Sequence, residues 1–484
     1  MGIWSRKSVD VMRQQASASE AHLHRNLGVV SLTAFGVGST IGAGIFVLTG
    51  TEAAHHAGPA ITYAFVLASL ACFFAGLCYA EFAAMVPIAG SAYSYAYATM
   101  GELVAWIIGW CISLEYVFSA AVVAIGWSGY PQSALADLGV HLPALLTAAP
   151  LKLHDGHIVA SGTLLDLPAV LVTLACTVLL VVSTRQSAIL NTLIVSAKVA
   201  AIVIIIVVGA RYVDPANWQP FVPPNTGEFG SFGLSGVARA AAVVFFAYIG
   251  FDGISTLAEE CRNPQRTIPI SLFLALAICT TLYVGVSLVI TGLTKYTGLD
   301  VPDPIYFALS TVRADLGWLK FLVAVVAVFG LISVILFSLL GQVRILYAMG
   351  RDGLMPAAFA RTSPRFRTPH VGTLWTGALA ALTAGFVPLG ILGELISIGT
   401  LLAFAIVCAG ILVLRHTQPQ AHRPFRTPLV PLVPGLGVLC CVLLMFSLPD
   451  DTWLRLLAWL VIGVAIYWAY GRRHSKLARG NDAP

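Results

Sequence analysis

Twelve continuous apolar stretches dominate the chain, at about residues 27–48, 59–87, 101–129, 167–183, 189–209, 234–257, 270–291, 319–343, 371–389, 393–414, 429–448 and 453–470. Charged or Pro/Gly-rich sequence bounds each of them. Most come close to the roughly 20 residues that a helix needs to cross about 30 Å of hydrocarbon. A membrane β-barrel would instead alternate apolar and polar residues over strands of about ten. Continuous runs leave helices, which close their own backbone hydrogen bonds, as the economical structure in lipid. Composition agrees: 58% of the 484 residues are hydrophobic and 10% are charged, against about 25% charged in soluble domains. No soluble fold has interior enough for that surplus. A soluble enzyme, an extracellular disulfide scaffold and a disordered hub are therefore excluded, and the expected fold is an all-α integral membrane protein of 12 transmembrane helices.

Orientation follows from the basic residues. The net charge of +5, from 27 Lys+Arg against 22 Asp+Glu, is too small to suggest nucleic acid. With the N-terminus inside, 19 of the 27 Lys and Arg residues fall on the inner side, from Arg6, Lys7, Arg13 and Arg25 through to Arg472, Arg473, Lys476 and Arg479. Seven fall outside (Lys152, Arg211, Arg239, Lys295, Arg313, Lys320 and Arg455), and Lys198 lies within a span. This bias predicts two cytoplasmic termini. Residues 1–26 and 472–484 are then cytoplasmic segments flanking one membrane domain over 27–471, in the plasma membrane or, in a cell with two membranes, the inner one. Residues 1–26 contain no apolar core, as expected of a chain without a cleavable signal. The nine cysteines sit in or beside apolar runs without metal-ligand spacing, which predicts buried thiols.

Two spans carry interruptions. The first contains Gly36-Val37-Gly38-Ser39-Thr40-Ile41-Gly42-Ala43-Gly44-Ile45-Phe46. A plain small-residue packing seam is one reading. The density of glycine also suits an unwound segment, whose freed N–H groups can hold a carboxylate and whose freed C=O groups can hold an ammonium. The sixth span repeats the design in Ile249-Gly250-Phe251-Asp252-Gly253, with an aspartate at a depth where an unpaired charge costs at least about 2.5–3.5 kcal/mol. Such a residue should cap or coordinate something. About 208 residues separate Gly42 from Gly250, which matches five spans. Repeats over about 27–209 and 234–414 would then be inverted relative to each other, as in an alternating-access carrier, with the helices of 429–470 added to that core.

Four ionisable residues within the spans stand out: Glu81, Glu115, Lys198 and Asp252. Glu81 is near the end of its span and can snorkel or brace a loop. Glu115 lies mid-span with Cys111 and Ser119 one turn away, either a buried carboxylate bonded to another helix or a pocket wall that meets a polar or cationic substrate group. Lys198 is too deep to snorkel comfortably; a lysine whose charge depends on its surroundings is a candidate proton carrier, and an inert, permanently charged brace is the other reading.

Together these residues resemble the amino acid–polyamine–organocation permeases, most closely the bacterial members of the cationic amino acid transporter branch, over about Asn26 to Gly471. The resemblance is carried by Gly38 through Phe46, His56-Ala57-Gly58-Pro59-Ala60, Tyr79-Ala80-Glu81-Phe82 and Gly90-Ser91-Ala92-Tyr93-Ser94-Tyr95. It continues in Phe245 through Thr256, Glu259-Glu260, Asn263-Pro264-Gln265-Arg266, Gly341-Gln342-Val343-Arg344 and Met349 through Pro356. It implies an unwound first helix whose Ile41, Gly42, Ala43, Gly44 and Ile45 take the substrate carboxylate. The carbonyls of Phe246, Ala247 and Ile249 would take the α-ammonium, and Phe251 would close over the site. Glu115 would look toward the substrate side chain, and Lys198 would stand where sodium-coupled relatives hold the ion. The implied activity is proton-coupled amino acid import, with amino acid exchange or amino acid sensing as alternatives. The substrate reading stays open between a cationic and a small neutral amino acid; the bulky aliphatic span-8 wall Gly330-Leu331-Ile332-Ser333 would shorten the pocket in favour of the small neutral one over arginine. The expected partners are an amino acid, a proton and lipid, with no obligate protein partner. No cofactor or metal is expected, because no His/Cys/Asp cluster or nucleophile pair shares a depth. A channel would need polar residues lining a continuous path, which four isolated groups do not supply.

Overall fold

The computed structural model describes residues 6, 27–85, 91–154, 157–182, 188–312, 316–366, 368–477 and 479. Each of the twelve apolar stretches lies largely on helix. The helices used below are α1 (Val29–Thr40), α2 (Ile61–Met85), α3 (Ser91–Thr99), α4 (Glu102–Asp137), α5 (Leu167–Val182), α6 (Ala188–Gly209) and α7 (Gly233–Val244). After these come α8 (Pro264–Leu293), α9 (Pro304–Ser310), α10 (Gly317–Arg351), α11 (His370–Phe386), α12 (Leu389–Thr417), α13 (Leu432–Phe446) and α14 (Asp450–Ile466). Among the described residues, eight helical stretches are long and apolar enough to cross a membrane, and Val29–Thr40, Leu167–Val182 and Leu432–Phe446 are shorter apolar helices. One of the eight, Gly44–Met85, joins the far half of the first apolar stretch to the second. It turns at Gly58, where φ is +58° and the following Pro59 starts a new helical turn. Only a glycine adopts that backbone without strain.

Burial separates the helices physically. The most apolar window of α4 is 83% buried and that of α12 is 72%, whereas those of Asn191–Tyr212 and Asp450–His474 are 33% and 22%. In water the exposed Leu, Val and Phe side chains of α5, α6, α13 and α14 would be unfavourable; in lipid they face their own solvent. α4 packs against α10 and α12, and α8 packs against α1 and α2, so the long buried helices surround the two interrupted ones. Between α4 and α5 lies a two-stranded antiparallel hairpin, β1 (Leu151–His154) and β2 (His157–Ala160), with Leu151 opposite Ala160. All nine cysteines are free thiols, eight of them buried and Cys440 half-buried.

Candidate substrate site

The first interruption is short. α1 ends at Thr40, Ile41 is extended (φ −73°, ψ 92°), and the chain resumes as a wide, π-type turn over Gly44–Leu48. Ile41 and Gly42 are thus the residues outside helical geometry, a tighter break than an open stretch over Ile41–Ile45. The Gly42 carbonyl accepts from the N–H groups of Ile45 and Phe46, both at 3.3 Å. The second interruption lies at Ile249, Gly250 and Phe251, between the turn Phe245–Tyr248 and the 3₁₀ segment Asp252–Glu260. Gly250 has φ +109°, and a Cβ on it would stand 3.0 Å from the carbonyl oxygen of Ser39.

The two breaks face each other. Ser39 Oγ lies 3.1 Å from the Gly250 carbonyl and 3.0 Å from each of the Phe35 and Gly36 carbonyls of its own preceding turn, one proton shared among three acceptors. A Cβ on Gly44 would collide with the backbone and Cβ of Ala247, so the missing side chain lets the two broken helices touch. Tyr283, from α8, places its hydroxyl 2.9 Å from the Thr40 carbonyl and 2.7 Å from the Ala247 carbonyl, one proton serving both. Phe246 O accepts from the Ile249 N–H at 3.1 Å. Ile41, Ala43, Ile45, Phe246, Ala247, Ile249 and Phe251 are all buried. The ring of Phe251 meets Phe404 edge-on at 5.7 Å.

Lys198 reaches this region from α6. Its ammonium nitrogen lies 2.9 Å from Gly38 O, 3.1 Å from Ile41 O, 3.2 Å from Gly330 O and 3.2 Å from Ser333 Oγ. None of these four acceptors is a carboxylate. Gly330 is itself required for the fit, since a Cβ there would stand 2.7 Å from Lys198 Cδ. One side chain therefore ties α6 to the break in the first helix and to α10.

Glu115 is buried on α4 and accepts from Thr400 Oγ1 of α12 at 3.0 Å through Oε2, while Oε1 has no hydrogen-bond partner among the described residues. Asp252 is buried, accepts from the Gly250 N–H at 3.3 Å, and lies within electrostatic reach of Glu115. It caps the second break. Glu81 has a different role: it holds Arg415 and Arg423 at 2.9 and 3.2 Å and accepts from the Thr427 N–H at 2.7 Å. Of its two sequence readings the brace is the one found. His56, from the His-Ala-Gly-Pro stretch, bonds through Nδ1 to the Gly230 carbonyl at 2.7 Å.

Ser39, Tyr283 and Thr400 were not singled out by sequence reasoning. Each is a hydroxyl in an otherwise apolar or glycine-rich run, the one signal available, and many such hydroxyls merely bond the preceding turn, as Thr173 does to Ala169.

Two short non-helical segments thus lie against each other at the centre of apolar helices. The Phe246 and Ala247 carbonyls already accept one hydrogen bond each, but a carbonyl has two lone pairs, so such a junction can still offer C=O groups to an ammonium. The amino acid permease family profile matches residues 27–466. The chain belongs to that family. This permease is 44% identical to a methylthioribose transporter of Bacillus subtilis, over 98% of its own length and 99% of the relative's. It is also 44% identical to the branched-chain amino acid permease BcaP of the same organism, over 96% of each chain. A vacuolar cationic amino acid transporter 4 of Arabidopsis thaliana is 39% identical over 86% of this permease and 67% of the relative. The permease is accordingly a multi-pass membrane transporter and not an enzyme.

Proposed function

We propose that this permease imports an amino acid across the plasma membrane by alternating access, driven by protons. The observation that carries the reading is the contact between the two broken helices, Ser39 on Gly250 and Gly44 against Ala247, with Lys198 bonded to the first break. In this reading all twelve apolar stretches cross the membrane and both termini are cytoplasmic. Residues 27–209 and 234–414 are the inverted repeats of one domain over 27–471, the helices of 429–470 are additions, and residues 1–26 and 472–484 flank it. The substrate carboxylate sits at Ile41, Gly42, Ala43, Gly44 and Ile45, its ammonium at the carbonyls of Phe246, Ala247 and Ile249, and Phe251 closes the pocket. Glu115 faces the side chain, and Lys198 carries the coupling proton in place of a metal ion. No cofactor takes part.

The substrate class follows from the wall. A Cβ on Gly42 would stand 3.2 Å from Val334, and Leu331 and Ile335 are buried on the same helix, which leaves an aliphatic surface beside the carboxylate site. A small or branched neutral side chain fits it better than a guanidinium, in keeping with relatives named for branched-chain amino acids. Exchange of one amino acid for another is the second reading. It is favoured by the four acceptors around Lys198, which would suit a permanently charged lysine.

Competition of one labelled amino acid by all twenty, in proteoliposomes at two pH values, tests the substrate reading. Neutral aliphatic amino acids should compete best, and Gly42→Val should abolish binding while the protein still inserts. Unchanged affinity in Gly42→Val by isothermal titration would remove the carboxylate site from this backbone.

A further inference from the structure

The C-terminal segment does not trail away from the last helix. After the wide turn Tyr467–Gly471 and the single turn Arg472–His474, Ser475 is fully buried and its hydroxyl donates to Glu102 Oε2, in the first turn of α4. Tyr467 donates to the other oxygen of the same carboxylate at 2.9 Å. The Lys476 N–H donates to the Asp352 carbonyl at 3.2 Å, just beyond α10. Gly353 has φ +83°, and a Cβ on it would collide with the carbonyl oxygen of His474. That gives the glycine of the Met349-Gly350-Arg351-Asp352-Gly353 stretch a physical reason: the returning chain lies directly over it.

The same two acidic residues hold α3. Tyr97 donates to Glu102 at 2.9 Å and Tyr93 donates to Asp352 at 2.8 Å. Four residues apart, these two tyrosines share one face of the helix, and Tyr95 between them points to the opposite face. Tyr95 stacks on Phe82 with ring centroids 5.5 Å apart and lies beside Ser255 and Asp252, in the second broken helix. The C-terminal segment, Glu102 and Asp352, α3 and the broken helix thus form one continuous chain of contacts that ends at the site.

We propose that residues 471–477 are a strap that holds α3 against the second broken helix, and that its docking restrains opening of the site toward the end of the bundle that carries the C-terminus. The buried hydroxyl of the strap, Ser475 Oγ, sits on the Glu102 carboxylate, so a second negative charge at position 475 would expel the strap by like-charge repulsion at a desolvated point. This inference goes beyond the transport reading and does not depend on which amino acid is carried.

Hydrogen–deuterium exchange on the full-length protein in detergent micelles tests it, with Ser475→Glu, a chain ending at His474, and the exposed control Lys476→Ala. Losing a hydrogen bond to a charged group should speed exchange of 91–99 and 252–260 by about tenfold or more in the first two variants. α8 should keep its protection, Lys476→Ala should match the wild type, and substrate counterflow should quicken. Two results in Ser475→Glu would overturn the proposal: a strap that stays protected, or a strap that exchanges freely while 91–99 remains as protected as in the wild type. If Ser475→Glu also loses protection in α8, the shortened chain decides by the same criterion. Loss of α8 protection in both would make the segment a folding element and not a restraint.

Discussion

Glu81→Gln removes the one negative charge that holds two arginines at the join between α2 and the chain beyond α12. Glu81 is fully buried, with Arg415 at 2.9 Å, Arg423 at 3.2 Å and the Thr427 N–H at 2.7 Å. Arg423 is only 6% exposed and also donates to the carbonyls of Pro419 and Ala421 at 3.0 and 2.9 Å. Removing one partner of a buried pair costs about 3–5 kcal/mol, because the other charge stays desolvated. The Arg415 side chain is 25% exposed and can turn to solvent. The cost therefore falls mainly on Arg423, and the lower end, about 3 kcal/mol, is expected. Glutamine keeps an acceptor for Thr427, so the loss reports charge and not a missing cap. The assay is reversible unfolding in mixed micelles for the wild type, Glu81→Gln, Arg423→Met and the double variant. The double variant should be less destabilised than the sum of the singles by at least about 1.5 kcal/mol. Additivity within about 0.5 kcal/mol would refute the pairing.

Glu115→Gln preserves the Thr400 bond but removes the charge, and should lower the ratio of arginine to alanine affinity by about tenfold in competition assays; an unchanged ratio would reduce Glu115 to a packing residue. Outside the spans, burial pushes the carboxyls of Asp166 and Asp303 up from an ordinary 3.8 to about 6. A carboxyl that is harder to ionise when folded favours the folded state in its protonated form. Its contribution is therefore present in acid and is lost as pH rises from about 4 through 6. Unfolding free energy should increase between pH 7 and pH 5 by on the order of 1 kcal/mol per group. Asn at both positions should flatten that slope, and a wild-type profile that is flat or reversed would count against the burial argument.

The sequence made the helices legible because lipid imposes a strong constraint on composition: a run of twenty apolar residues has few other uses. The breaks were legible for a related reason, since Gly36, Gly38, Gly42 and Gly44 crowd into one span and Asp252 stands between Gly250 and Gly253 at a depth where it needs a backbone to cap. The glycines also serve packing, because a Cβ on Gly36, Gly38 or Gly44 would collide with Ile254, Val195 or Ala247. Lys198 was legible as a deep unpaired cation, but its acceptors at Gly38, Ile41, Gly330 and Ser333 come from two other elements that periodicity cannot bring together. The same limit hid Tyr283, one tyrosine among 15, whose hydroxyl matters only because α8 passes both breaks. Glu81 could be read as snorkelling or bracing until Arg415 and Arg423 were placed beside it. The extent of the first break was also not legible: glycine permits an open chain over Ile41–Ile45, yet Gly44–Leu48 winds into a wide turn because the backbone there finds partners within its own helix.

Proton coupling through Lys198 is tested most directly by amino acid uptake into proteoliposomes under an imposed pH gradient with sodium absent, with Lys198→Ala measured beside the wild type for gradient-driven accumulation and for gradient-independent exchange. Loss of uptake in Lys198→Ala alone decides nothing, because a lysine that only braces Gly38, Ile41 and Gly330 would fail as well. The expected result is wild-type accumulation that follows the gradient without sodium, together with a Lys198→Ala protein that no longer accumulates substrate but still exchanges it. Wild-type uptake that requires sodium or ignores the gradient would contradict the proton-carrier role, and gradient-driven accumulation retained by Lys198→Ala would move that role to another residue.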